Sequence, residues 1–273
     1  MINFLHTFKP NPILISLGPI NIYWYGLLIV SGILLSTLIT LKLSKYYNLK
    51  KETIINLIFW LLISGLLGTR IYHVLLEWPY YLKHPFNILA IWQGGLAIHG
   101  AIITGLAIIW IFTKKNKLNF WLLTAVLAPG LMLAQAIGRW GNYFNQELFG
   151  QPTNLSWGIP IDFTNRPLTY ISSEFFHPAF LYESLGNLLI FLILISFHVW
   201  IIKKRKFNNS CYLLSVIFYL VMYSLLRFIL EFIRIDPTYV ILGLRFPQII
   251  SLIIIFLSLL LLLLKLKKYA TIQ

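Results

Sequence analysis

The stretch QIISLIIIFLSLLLLLL, residues 248–264, closed by Lys265, Lys267 and Lys268, decides the fold class of this chain. It carries no charge, and as a helix rising 1.5 Å per residue it covers about 25 Å of the roughly 30 Å hydrocarbon layer of a bilayer. Six more stretches of this kind lie at 22–41, 54–76, 94–112, 120–137, 179–202 and 212–233, the third and fourth interrupted by glycines or by Pro129. Backbone groups cannot stay unpaired in lipid, so these spans are expected to be helices. The chain thus reads as an all-α polytopic membrane protein with seven transmembrane helices. Composition agrees: hydrophobic residues make up 59% and charged ones 11% of 273 residues, against about 45–50% and about 25% in soluble domains. Soluble enzymes, disordered chains and secreted disulfide scaffolds are excluded. The single cysteine, Cys211, excludes an intrachain disulfide and a cysteine-based zinc site.

The net charge of +14 has a pattern. Of the 22 basic residues, Lys42, Lys45, Lys50, Lys51, Lys114, Lys115, Lys117, Lys203, Lys204, Arg205, Lys206, Lys265, Lys267 and Lys268 fall on alternate connections or the tail, opposed only by Glu52. Such alternation is the positive-inside signal, expecting the N-terminus outside (periplasmic) and the C-terminus in the cytoplasm. A nucleic-acid surface needs no alternation, so no nucleic-acid partner is expected. Residues 1–21 hold Lys9 alone as a basic residue and lead into the first span, so no cleaved signal peptide is expected. Tryptophans 24, 78, 92, 110, 121, 140 and 200 lie near span ends, where indole rings favour the interface. The expected organisation is one membrane-embedded domain over 1–273, with an outer-face insertion at about 138–178, a length that usually serves function.

Charges inside a bilayer are costly and need a reason. Arg70, His73 and Glu77 are spaced for one face of the second span, and Arg227, Glu231 and Arg234 for one face of the sixth. Either set suits an interhelical ion-pair network, but the surplus of cations in the second also suits an anionic ligand. The third span opens with Gly94-Gly95-Leu96-Ala97-Ile98-His99-Gly100, where His99 is the titratable group. The densest polar run is Gly138-Arg139-Trp140-Gly141-Asn142-Tyr143-Phe144-Asn145-Gln146-Glu147-Leu148-Phe149-Gly150. An arginine there can grip a phosphate in two-point fashion while asparagine amides add neutral donors. Zinc-protease, nucleophile-elbow, Walker and Rossmann patterns are missing, and His6, His84 and His177 have no metal-ligand spacing, so neither metal nor cofactor is expected.

Together these segments resemble the bacterial prolipoprotein diacylglyceryl transferase family. Residues 138–150 match its signature G-R-x-G-N-aromatic-x-N-x-E-x-x-G at each fixed position. Trp24-Tyr25-Gly26, Gly68-x-Arg70, Gly94-Gly95 with His99-Gly100, and Arg227-x-x-x-Glu231-x-x-Arg234 follow in order. His177-Pro178-Ala179-Phe180-Leu181-Tyr182-Glu183 resembles its H-P-x-x-L-Y-E motif. Ala101 stands where glycine is usual, which could crowd whatever approaches that helix, and Tyr143 where phenylalanine is commoner.

The resemblance implies transfer of the sn-1,2-diacylglyceryl group from phosphatidylglycerol to the lipobox cysteine thiol of a prolipoprotein signal peptide, in the bacterial cytoplasmic (inner) membrane. The products are a thioether and glycerol 1-phosphate, the first step of lipoprotein maturation. The nucleophile belongs to the substrate, so Cys211, beside the basic 203–206 cluster, is read as structural. Arg139 and Arg227 are expected to stabilise charge on the phosphate, with Arg234 holding headgroup or partner carboxylates. His99 or Glu147 is expected as the base for the thiol. Asn142, Asn145, Gly150, Tyr25, Arg70, Tyr223, Glu231, His177 and Glu183 complete the expected substrate-binding set. A transporter would gather its polar groups near the midplane rather than the outer end, and a non-catalytic scaffold leaves the Arg–Asn–Glu constellation unexplained.

Overall fold

The computed structural model describes residues 2–270, with side chains from Phe4 to Lys265; the tail cations Lys267 and Lys268 lie outside the described side chains. Among the described residues seven helices are long and apolar enough to cross a membrane. In chain order the helices are α1 (Ile2–Thr7), α2 (Trp24–Tyr46), α3 (Lys51–Leu76), α4 (Trp78–Lys83), α5 (Ile98–Lys115), α6 (Phe120–Phe144), α7 (Ala179–Lys203), α8 (Asn209–Leu230) and α9 (Phe246–Ala270). Among the described residues sheet is confined to three two-stranded pairs: β1 (Ile13–Leu17) with β2 (Ile20–Tyr23), β3 (Ile159–Pro160) with β4 (Phe175–Phe176), and β5 (Val240–Ile241) with β6 (Leu244–Arg245). All three are antiparallel.

The helices are inside-out by the standard of a soluble protein. Leu34, Leu67, Leu106, Leu189 and Leu257 are exposed, while Ser44, Glu183, Asn187, His198, Ser215 and Glu231 are buried. Polar groups are sealed among the helices, and the apolar exterior needs lipid as its solvent.

Several boundaries differ from the sequence expectation, each for a local reason. The third span begins at Ile98 rather than 94, because Gly94 and Gly95 take φ of +84° and +71° and form a turn. The fourth runs through Pro129 and on to Phe144, so the first half of the 138–150 signature is helical and the insertion starts at 145. The sixth ends at Leu230, with Glu231 capping it and Arg234 beyond the helix. Glu77 likewise caps α3 instead of continuing its face.

The chain divides into two compact units, Met1–Ile39 with Leu127–Gln273, and Thr40–Val126. In the second unit α3 packs on α5 through glycine. A Cβ on Gly100 would strike the backbone of Gly68, and one on Gly68 would strike Thr104. Thr104 Oγ1 donates to Ser64 O and Gly100 O at 2.9 Å each. Small residues allow this approach, and the hydroxyl joins the two helices. Gly100, rather than the neighbouring Ala101, makes the close contact.

In the first unit the insertion has its own core of Tyr143, Phe149, Ile159, Ile161, Phe176 and Phe180, with Leu5 of α1 packed into it. His6 Nδ1 bonds Gly158 O at 2.9 Å, and its ring stacks on Phe175. Gln146 holds the fold of the loop: Nε2 donates to Asp162 Oδ2 (2.7 Å) and Pro10 O (3.1 Å), while Oε1 accepts from Asp162 N (2.7 Å). These bonds keep Gln146 in the left-handed region at φ +51°, a conformation uncommon outside glycine.

Candidate active site

Two buried carboxylates organise the first unit. Glu183 enters on the first turns of α7 directly after Pro178, and Glu231 caps α8. Both are about 1% exposed, so burial requires that their charge be matched. Arg139, near the end of α6, places Nη2 2.6 Å from Glu183 Oε1, an ion pair whose angle falls outside hydrogen-bond geometry. Arg227 bridges the two acids, Nη1 3.3 Å from Glu183 Oε2 and Nη2 3.0 Å from Glu231 Oε2. Arg234 reaches Glu183 Oε2 at 3.5 Å and Asp236 Oδ1 at 2.8 Å.

A fourth arginine closes the cluster. Arg245 Nε lies 2.8 Å from Glu231 Oε1, and its Nη groups donate to Arg234 O (3.0 Å) and Asp236 O (2.7 Å). The sequence reading missed Arg245; the available signal was an arginine at the start of the last span with no loop partner nearby in sequence. Four guanidiniums face Glu183, Glu231 and Asp236, so the surplus cation charge is one, smaller than four arginines suggest. Arg139 and Arg227 keep side-chain exposures of 23% and 17%, against 6% for Arg234. They are the two of the three expected anion ligands with surface left for an incoming one.

From Arg139 the polar chain runs outward. Nη1 donates to Asn142 Oδ1 (3.2 Å), Asn142 Nδ2 to Glu147 Oε1 (2.7 Å), and Asn145 Nδ2 to the same oxygen (3.4 Å). Tyr25, at the start of α2, packs on Gly141, whose hydrogen leaves room for the ring: a Cβ there would come within 2.6 Å of it. The Tyr223 hydroxyl reaches Arg139 from one turn before Arg227.

A family model described as prolipoprotein diacylglyceryl transferase matches residues 12–264. The chain belongs to that family. Proteins named phosphatidylglycerol–prolipoprotein diacylglyceryl transferase resemble it over most of its length. The one from Synechococcus elongatus is 43% identical over 251 residues, covering 90% of this chain and 84% of that protein. That from Nostoc sp. is 44% identical, covering 91% and 87%, and that from Synechocystis sp. 41%, covering 92% and 87%.

Within the first unit the family motifs fall into two groups. Arg139, Asn142, Asn145, Glu147, Tyr25, Tyr223, Glu183, Arg227, Glu231 and Arg234 gather as described. Gly150 is a seam: its N–H donates to His177 O (2.9 Å), it bridges to Arg234, and Gln151 N donates to Ile233 O (2.8 Å). A Cβ at Gly150 would come 2.8 Å from His177 Cβ, so glycine is needed where the insertion is sewn to the end of α8. His177 Nδ1 lies 3.2 Å from the Tyr182 hydroxyl, which also accepts from Trp157 Nε1 at 2.8 Å. Burial pushes this imidazole below its usual range. Gly150 and His177 therefore act on the loop and on Arg234 rather than within the arginine cluster.

The structure places Arg70 among backbone carbonyls. In the second unit all five of its N–H groups go to backbone carbonyls: Ile88 O (2.9 Å), Gly94 O (2.7 Å), Gly95 O (3.2 Å), Ala90 O (3.3 Å) and Asn87 O. Tyr81 covers the guanidinium face at 5.3 Å. With no donor left for a phosphate, Arg70 staples the 84–95 loop onto α3. The Gly95 turn fits against it, since a Cβ there would come 2.6 Å from His73 and 2.8 Å from Arg70. His99, in the same unit, opens α5 exposed, its ring 5.6 Å from that of Tyr72.

Proposed function

We propose that this chain transfers the sn-1,2-diacylglyceryl group of phosphatidylglycerol to the thiol of the lipobox cysteine in a prolipoprotein signal peptide. The substrate sulfur attacks the terminal glyceryl carbon, the carbon–oxygen bond to phosphate breaks, and glycerol 1-phosphate leaves. A thioether forms, and the thiol proton passes to a base, His99 or Glu147.

The observation that carries this reading is the convergence of Arg139 and Arg227 on one carboxylate, Glu183. Two guanidiniums already spaced around a shared anion are preorganised for the growing charge on a leaving phosphate, where electrostatic stabilisation is worth most. Asn142, Asn145 and Tyr25 line the headgroup side. Glu183, Glu231, Arg234 and Tyr223 hold the two arginines, and Gly150 and His177 hold the loop that delivers Arg234. Residues 1–273 work as one membrane-embedded domain with an outer-face insertion at about 138–178. The lysine-rich connections support an N-terminus outside and a C-terminus in the cytoplasm of a bacterial inner membrane.

Purified protein incubated with phosphatidylglycerol and a lipobox peptide tests the reading. A thioether-linked diacylglyceryl peptide and released glycerol phosphate are expected from the unaltered chain. Arg139→Ala and Arg227→Ala should abolish both products while the protein stays folded in the membrane. Near-full activity in both variants would remove the phosphate role from these residues.

A further inference from the structure

Beneath the arginine–glutamate cluster, three buried polar atoms have no partner among the described residues: Gln135 Oε1, Asn187 Oδ1 and Asn187 Nδ2. Asn187 is wholly buried. Helices α6 and α7 run antiparallel, with Arg139 against Glu183, Ser184 Oγ donating to Ala136 O at 2.8 Å, and Met132 in one packed cluster with Ile190. That register brings Gln135 level with Asn187. Gln135 stands four residues before Arg139 and Asn187 four after Glu183, so both lie on the faces that carry the ion pair, about 6 Å deeper. From α8, the Tyr219 hydroxyl faces the Gln135 side chain. Its ring stacks on Tyr223, centroids 6.1 Å apart and 10° from parallel, and Tyr223 reaches Arg139. A second polar layer therefore lies under the first, joined to it through the two tyrosines.

The unpaired atoms are two acceptors and one donor, and exchanging the ends of the Asn187 amide leaves that count unchanged. An acyl chain serves none of them. A lipid ester carbonyl accepts from Nδ2 but strands both oxygens, and an ammonium group donates to the oxygens but strands the amide N–H. Water donates twice and accepts, and buried waters typically make about three hydrogen bonds of this kind. We propose that α6, α7 and α8 enclose a water-binding site at Gln135 and Asn187, completing a hydrogen-bonded layer that supports Arg139 from below through Tyr219 and Tyr223.

The test uses the full chain in lipid nanodiscs. A density map fine enough to show ordered water should contain a compact peak within hydrogen-bond distance of both Gln135 Oε1 and the Asn187 amide. An empty or protein-filled space there, or elongated density continuing to a bilayer lipid, overturns the proposal. Thermal unfolding of Asn187→Leu, Gln135→Leu and the double variant gives an independent arm. With a shared water, each single change lowers Tm, and the double variant loses no more than the worse single, because the second leucine removes the atom the first had stranded. Singles that raise Tm, or losses that simply add, would mean that no water links the two residues.

Discussion

Glu183 and Arg139, 44 positions apart in the chain, meet at 2.6 Å, and the other oxygen of the same carboxylate lies 3.3 Å from Arg227. A glutamate thus stands between the two arginines assigned to the phosphate. It sets their spacing before any substrate arrives and must share them once a phosphate is bound.

Replacing Glu183 by glutamine keeps the volume and removes the charge that three arginines face. Breaking a buried ion pair on one side costs about 3–5 kcal/mol, because the surviving charges lose their match. Glu183→Gln should therefore lower the unfolding temperature of the purified protein and reduce kcat/KM for transfer by about 10²-fold or more. Unchanged activity with unchanged stability would mean that Glu231 and Asp236 suffice to hold the arginines.

Arg70 behaves differently if it is a staple. Arg70→Gln should leave several carbonyls of the 84–95 loop without a charged donor, at a cost of about 1–3 kcal/mol. Hydrogen exchange across that loop should rise, with little change in KM for phosphatidylglycerol. A raised KM with unchanged exchange would return Arg70 to the headgroup.

The α3–α5 crossing predicts a contrast between glycines on one helix. Gly100→Ala places a methyl against the Gly68 backbone and should destabilise by about 1–3 kcal/mol. Gly105→Ala meets only Leu61 Cδ2 at 3.9 Å and should be neutral or slightly stabilising, since alanine is the better helix former by about 1 kcal/mol. Equal losses measured by thermal unfolding would place the tight contact elsewhere.

His177 supplies a pH signature. Its pKa is lowered by burial, so the folded protein favours the neutral ring and the unfolded chain binds the proton more readily. Stability is then full above the ordinary histidine pKa of about 6.5 and is lost as pH falls from there through the lower folded value. In a comparison of melting temperatures from pH 7.5 down to 5, His177→Gln should lose less than the unaltered chain. The same acid slope in both would assign the sensitivity to another group.

How much of this was legible in the sequence can be judged from particular residues. The seven spans followed from apolar runs alone, because the cost of unpaired backbone in lipid leaves one solution for a long apolar segment. Residues 138–150, with Arg227 and Glu231, stood out because charge inside an apolar run is conspicuous without knowing its neighbours. Where Arg70 and Arg139 point was not legible. Both are arginines in apolar helices beside glycine, yet carbonyls of the 84–95 loop take every donor of one, while Glu183 leaves the other partly free.

Local pattern thus determined that these helices exist, where their basic flanks lie and which side chains are too costly to be accidental. Tertiary structure decided which charge answers which: that Glu183 belongs to the arginines, that Arg245 completes their ring, and that Gly150 and His177 sew a loop. The reason is physical. Burial of apolar surface sums over a segment and can be read along the chain, whereas pairing of buried charges depends on distances of about 3 Å between residues far apart in sequence.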